Sequence, residues 1–373
     1  MIYADYAASA PMSEGALAVL SETARNLYGN PSSLHTAGQE AREAVEKARQ
    51  QCADLIGASP GEIIFTSGGT ESDNLALRGS GRRRLIVSAI EHPAVLRTAE
   101  DLAAHGTMLT VLPVNEKGAV SPDDLEAALG ESDVPALVSV MFANNETGMI
   151  QPVSRLAETA HRHGALFHCD AVQGTGHVPV DVKSLGCDLL SVSAHKLHGP
   201  KGVGLLYVRR GVTPDPVLTG GGQEHGLRSG TECVPLIAAF GEACREAGEV
   251  MAEEAVRIAR LRDRIEEELL KLPDVRRNGE GDRLPGISNL SFGGVGGEAL
   301  TLMCDLRGLA VSSGSACHAG DERPSHVLGA MNVPARYLTS ALRISVGRFT
   351  SDEEAAGIVR CVAESVEMLR DMA

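Results

Sequence analysis

Six polar segments stand where short apolar runs end or where bulky residues thin out. "TSGGTESDN" (66–74), "EHPAV" (91–95), "NNETG" (144–148), "HCDAVQGTG" (168–176) and "SAHKLHGPKG" (193–202) each close an apolar run. The sixth, "SSGSACHAGDERPSHVL" (312–328), carries a lone thiol, Cys317. In the first segment the glycines let backbone N–H groups approach a ligand closely. Glu71 and its Ser and Thr neighbours open a helix whose N-terminus favours an anion. A phosphate cup and an ordinary capped turn both fit; no G-K-[ST] follows, so it is not a Walker motif. His92 stands at a helix start. Asp170, just past an apolar strand, suits a capped turn or a carboxylate that holds a buried cation. Lys196 ends an apolar run, where desolvation eases loss of its proton and a neutral amine can attack a carbonyl. Lys201, between Pro200 and Gly202 in a turn, is the rival amine. An anion cup, a carboxylate and an amine at successive strand ends are the set that pyridoxal phosphate requires. It needs a phosphate site, an acid to keep the ring nitrogen protonated and an amine for a Schiff base.

Cys317 poses a separate question. Buried cysteines act as small hydrophobes among bulkier side chains, yet its neighbours include Ser315, Ala316, Ala319 and Gly320. A thiol so placed is poor core material and suits a reactive role, in which the thiolate is the nucleophile.

Positioning these groups falls to alternating strands and helices. Strands are expected at 62–66, 84–90, 107–113, 136–143, 165–169, 188–193 and 203–208. They lack polar alternation, as strands buried on both faces do. Helices are expected at 37–56 and 152–163, and Ser121-Pro122 joins a capping residue to proline at the first helical position. The pattern implies an α/β fold with a mainly parallel central sheet covered by helices, whose ligands bind beyond the strands' carboxyl ends. From about residue 250 the texture changes to a charged helix (250–271) and a Pro/Gly-rich segment. A strand (287–292), a helix (297–307), the Cys317 segment, a strand (342–346) and a closing helix (351–371) follow. The expected division is a large cofactor-binding domain over 15–250 and a smaller α+β domain from 1–14 and 251–373, which carries the cysteine.

Composition narrows the classes. The chain has 373 residues, 43% hydrophobic and 22% charged, which fits a soluble globular protein of one large domain plus a smaller one. A net charge of −15 argues against nucleic acid or acidic membranes as partners, and Arg82–Arg84 is expected to form a short solvated turn. No run of 18 apolar residues and no basic-then-apolar N-terminus favours a transmembrane or secreted chain. Eight dispersed cysteines without a C-x-x-C pair suit free thiols, so a cytoplasmic location is expected. With no Trp, six Phe and five Tyr, a planar cofactor must stack on something else.

From "YADYAAS" (3–9) to "LRISVGRFT" (342–350), "TSGGTESDN", "EHPAV", "NNETG", "DAVQ", "SAHKLHGPKGVG", "RSGT" and "SSGSAC" occur in the order found in one family. The chain resembles the cysteine desulfurases, which are class V, fold-type I pyridoxal-phosphate transferases. The resemblance implies a homodimer with active sites at the subunit interface. It implies Lys196 as the Schiff-base lysine, Asp170 as the partner of the pyridine nitrogen and Gln173 as that of the ring's phenolic oxygen. His92 would stack on the ring face and could relay protons. Gly69, Thr70, Ser193 and His195 would hold the phosphate, with Thr231 of "RSGT" reaching in from the other subunit. Asn145 and Arg343 would bind the substrate carboxylate, a task suited to a planar guanidinium.

Cys317 matches the family's nucleophile. The implied reaction has Lys196 remove the α-proton of L-cysteine and the Cys317 thiolate attack its sulfur, giving L-alanine and a persulfide. His318 is a candidate to assist the thiol. "SSGSAC" followed by "HAGDERPSHVL" matches the long-loop branch of NifS and IscS type, so a mobile cysteine segment is expected. His-Ala-Gly departs from the Ser/Thr-rich form of that branch, which leaves the identity of the sulfur acceptor open. Implied partners are L-cysteine, a second copy and a sulfur-acceptor protein such as an iron–sulfur scaffold, without nucleic acid or membrane. A selenocysteine lyase or another class V lyase or transaminase is the nearest alternative. A non-catalytic sulfur-delivery scaffold has no use for Lys196, Asp170, His92 and Cys317 together. Cys317, His318 and His326 follow no standard zinc spacing, and no metal is expected.

Overall fold

Apolar runs of strand length dominate residues 60–210, and seven of them build one sheet. In the computed structural model, which describes residues 1–313 and 324–372, its order is Ile63–Thr66, Gly204–Val208, Leu189–Ser193, Leu166–Asp170, Ala136–Ser139, Arg84–Ser88 and Met108–Leu112. Six strands run the same way, and Gly204–Val208 is antiparallel to both neighbours. Successive residues enter different cores. Ile63, Phe65, Ile86, Val138 and Phe167 pack on one face, and Ile64, Leu85, Leu137 and Leu189 on the other. Double burial is why these runs show no alternation. The strands expected at 84–90 and 136–143 stop at Ser88 and Ser139, where the chain bends into the polar loops. Past that bend Val140 and Phe142 still donate to the carbonyls of His168 and Asp170.

Helices Thr36–Ile56, Pro122–Gly130 and Val153–Arg162 lie close to their expected places, and the Ser121 hydroxyl accepts from the Asp123 N–H at a helix start. The helix expected at 250–271 is instead Val234–Leu269. The apolar "VPLIAAF" and the charged stretch after 250 differ in composition, yet no residue between them breaks a helix. Proline at its first turn is tolerated there. At 36 residues the helix is about 54 Å long. Ile237, Phe240 and Cys244 join the core under the large sheet, while Ile258, Leu261, Ile265 and Leu269 join a second core. Between Ala247 and Ile258 none of its residues is buried, and the expected domain boundary at 250/251 falls in this stretch.

The second core lies against a four-stranded antiparallel sheet ordered Ser312–Ser313, Ala341–Ser345, Ile287–Phe292 and Val275–Arg277. Near the N-terminus Ile2–Tyr3 pairs with Leu309–Ala310, and Asp5 bridges to Ser345. Cys317, His318 and most of the mobile segment expected at about 317–325 fall within 314–323, outside the described residues, while Ser325 at its end is described and buried. Among the described residues no helix is long and apolar enough to cross a membrane.

One glycine couples the large sheet to the polar loops. A Cβ on Gly204 would lie 2.6 Å from the Val192 carbonyl oxygen and 2.7 Å from the Gly68 Cα, both backbone atoms that cannot rotate away. Gly204→Ala should cost about 1–3 kcal/mol by overpacking, read as a lower urea midpoint. An unchanged midpoint would mean that Gly68 yields freely.

Candidate active site

The carboxyl ends of the parallel strands collect the polar segments around one cavity of about 320 Å³. Gly69 and Thr70 follow Ile63–Thr66, His92 follows Arg84–Ser88, and Asn145 follows Ala136–Ser139. Asp170 ends its strand and Gln173 follows it. Ser193 ends the next, and His195 and Lys196 follow in a short 3-10 turn. Arg343 enters the same wall from the second sheet. Two expected residues stand apart. Thr231 is exposed and does not line the cavity, and Cys317 lies outside the described residues. Lys201 is exposed in a turn, whereas Lys196 lines the cavity.

The N-terminal segment closes the site in a way sequence reasoning missed. The Lys196 Nζ donates to the carbonyls of Ala7 at 2.6 Å and Ala8 at 2.8 Å, and the Gln173 amide donates to Ala7 at 3.0 Å. Ala10 N–H donates to the His195 carbonyl, and the His195 ring contacts the Ser9 hydroxyl at 3.3 Å. Apart from the Ser9 hydroxyl, backbone carbonyls do this work, so the side-chain types of Ala7 and Ala8 carry no signal beyond smallness.

Electrostatics follow from burial. His92 caps the helix Pro93–Ala104, its Nδ1 accepting from the Ala94 N–H. Burial lowers its pKa, only partly opposed by Asp170. A neutral ring whose Nδ1 accepts carries its proton on Nε2. Asp170 accepts from the Val172 N–H at 3.0 Å, and burial raises its carboxyl despite the pull of His92 and Lys196. Behind it lie residues the motif reading passed over. Asp73 is 1% exposed, lines the cavity and has an Oδ1 without a hydrogen-bond partner. Burial, then the charge of Asp170, drives its carboxyl well up. His168, 3.6 Å from that oxygen, contacts the hydroxyls of Ser139 and Ser191, and burial takes its pKa down to about 3. The histidine two residues before Asp170 was the available signal.

Two further acids tie loops to the site. Glu91 pairs with the Ser88 hydroxyl and accepts from the Met141 N–H, and burial pushes it up to about 8. Glu146 accepts from the Ser325 hydroxyl at 2.5 Å, and burial pushes it up to about 7. His326 donates through Nε2 to the Glu91 carbonyl at 3.0 Å. Residues 325 and 326, just beyond the cysteine segment, are thus fastened beside His92 and Asn145. Arg343 donates to the Asn145 carbonyl at 2.9 Å and to Asp5 at 2.8 Å, and its Nε is buried without a partner.

The donor set fits a phosphorylated pyridine aldehyde. The first N–H groups of the helix Gly69–Gly79 have no acceptor within it and open on the cavity beside Ser193 and His195. Gly68 holds a φ of 152° that favours glycine, and at Gly69 a Cβ would come 2.8 Å from Val172. Lys196 and Asp170 supply the amine and the acid.

The sequence model of the class-V aminotransferase family matches residues 2–357. The cysteine desulfurase IscS of Methanosarcina thermophila is 42% identical over 378 aligned positions, covering 100% of this chain and 93% of that protein. A solved NifS-like protein superposes with a TM-score of 0.92 at 36% identity, covering 98% of this chain and 99% of that one. The protein SspA, solved in complex with cysteine, gives 0.82 at 33%, covering 94% and 100%.

Glu91 makes a pH prediction. Its value in the folded protein, about 8, lies above the 4.5 of an ordinary glutamate. Between these values the unfolded chain has shed a proton that the folded chain keeps. The stability this proton confers is full below the lower value and is lost as pH rises through the upper. Glu91→Gln, which cannot ionise, should gain on the parent in urea unfolding as pH is raised from about 5 to about 8. A constant difference over that range would show Glu91 already ionised.

Proposed function

This chain belongs to the class-V aminotransferase family, and on that premise we infer that it is a pyridoxal-phosphate-dependent cysteine desulfurase of fold type I. It converts L-cysteine to L-alanine and takes the sulfur onto Cys317 as a persulfide. The observation that carries this reading is the convergence of Lys196, Asp170, His92 and Arg343 on one cavity in a chain similar to cysteine desulfurases along its whole length.

When bound, the pyridoxal ring acts as a sink for the charge released at the substrate's α-carbon. The N–H groups of Gly69 and Thr70, with Ser193 and His195, would hold the phosphate. Asp170 would pair with the ring nitrogen, where a cationic partner would favour its ionised form, and Gln173 would bond the ring oxygen. His92, neutral and with its proton on Nε2, would stack on the ring face. Arg343 and Asn145 orient the substrate carboxylate. Lys196 Nζ takes the α-proton once it has left the carbonyls of Ala7 and Ala8. The Cys317 thiolate then attacks the substrate sulfur: an S–S bond forms, the substrate's C–S bond breaks, and its electron pair stays with the carbon that becomes the methyl group of alanine.

The large domain over 15–250 supplies the cofactor site. The smaller one, 1–14 with 251–373, supplies Arg343 and Cys317. Thr231 is exposed and outside its own cavity, which supports a homodimer in which it serves the partner's phosphate. The sulfur acceptor is a protein such as an iron–sulfur scaffold. Free thiols at the seven described cysteines suit a reducing cytoplasm.

Protein loaded with pyridoxal phosphate and given L-cysteine should release alanine and carry a persulfide. Cys317→Ala should lose both by about 100-fold or more with the cofactor's visible absorption intact, and Lys196→Ala should lose alanine release by about 1,000-fold. Full turnover of L-cysteine by Cys317→Ala would overturn the assignment of the nucleophile.

A further inference from the structure

The helix that opens on the phosphate cup carries in its first turn an acid that works against the cup's purpose. Glu71 sits in the first turn of the helix Gly69–Gly79, and its Oε2 accepts from the Ser67 N–H at 2.8 Å. That bond closes the turn around Gly68. It also places a carboxylate at the helix end whose field would otherwise be available to a phosphate. Burial alone would raise the Glu71 carboxyl, but hydrogen bonds from Arg228 and Ser67 outweigh it and hold its pKa below the usual range, so the group is charged.

Arg228 lies 157 residues further along and meets this charge, its Nε donating to Oε1 at 2.9 Å and its Nη2 approaching Oε2 at 3.4 Å. Both side chains are mostly buried, 24% and 17% exposed. The loop that carries Arg228 has an independent anchor. Arg49 holds Glu224 through two bonds of 2.8 Å, and Glu224 also accepts from the Phe65 N–H on the outer edge of the sheet. Glu224 and His225 keep positive φ angles of 46° and 58°, a setting that non-glycine residues hold only where the surroundings fix it. Arg228 can therefore be removed without releasing the loop.

The geometry points to Arg228 as a positioning residue for the cofactor phosphate: by pairing with Glu71 it neutralises the carboxylate in the first turn of the cup's helix and leaves the helix N-terminus to the phosphate. This rests on the pyridoxal-phosphate reading above. It gives Glu71 and Arg228 a joint role, in which Glu71 shapes the turn and Arg228 removes the electrostatic cost of having it there. The same pair fastens the segment that ends in Thr231 to the cup.

The test is a double-mutant cycle on full-length apo-protein, reading the dissociation constant of pyridoxal phosphate by equilibrium dialysis. Arg228→Ala should weaken binding by about tenfold or more, since a like charge beside a partly buried anion acts at that scale. The loss should shrink at high salt. Glu71→Gln in the Arg228→Ala background should restore affinity to within about threefold of the parent, which loss of a merely structural contact would not allow. Parent-like binding by Arg228→Ala would overturn the inference. So would a double variant as weak as Arg228→Ala alone, because Arg228 would then act by some other route than Glu71. Failure of the parent to bind pyridoxal phosphate would overturn the reading of the site and this inference with it, and is distinguished by appearing without any substitution.

Discussion

Strands that run the same way must end at the same edge, and the rest of this protein depends on that constraint. Six of the seven strands in the large sheet share a direction, so each contributes its following loop to one side. Residues as distant as Gly69 and Lys196 meet there without any contact between the intervening helices having to arrange it. The reversed strand Gly204–Val208 passes beneath the cup, close enough to Gly68 that Gly204 has no space for a Cβ.

Bringing acids, an amine and imidazoles together in a site largely closed to water sets a second constraint, since few buried groups can be charged at once. The histidines are held neutral by burial. Asp73 and Asp170 oppose each other's ionisation, so one of the two keeps a proton. Asp170 is the acid with a countercharge near it, the Lys196 ammonium, and is the one placed to ionise. Glu91 and the His168 group are neutral polar packing behind the cavity. They fix the His92 loop and the strand ends by hydrogen bonds and add little charge.

The wall opposite the sheet is borrowed. Carbonyls of Ala7 and Ala8 hold Lys196, and Arg343 comes from the second sheet with Asp5 as its counterion. Both belong to the part of the structure that pairs the N-terminus with residues 309–313 and 341–345. The helix Val234–Leu269 joins the two cores as a single rod whose exposed middle passes between them. Ser325 and His326, hydrogen-bonded to Glu146 and to the Glu91 carbonyl, root the far end of the cysteine segment on the same loops.

The strands, their burial on both faces and the polar residues that follow them were legible in the sequence, because a buried parallel strand imposes an apolar run and a loop must follow it. The motif order was enough to give the family resemblance, which in turn implies the roles of Lys196, Asp170, His92 and Cys317. The length of the long helix was not legible, because a change of composition at residue 250 imitates a boundary where the backbone has no reason to break. Nor were the parts played by Ala7 and Ala8, which act through carbonyls common to every residue, or by Asp73 and Glu91, whose proton affinity is set by surroundings. The pairing of Arg228 with Glu71 and of Arg49 with Glu224 also belongs to tertiary structure alone. Local sequence determines which groups a loop offers, but the charge each one bears depends on neighbours that only the fold brings within a few ångströms.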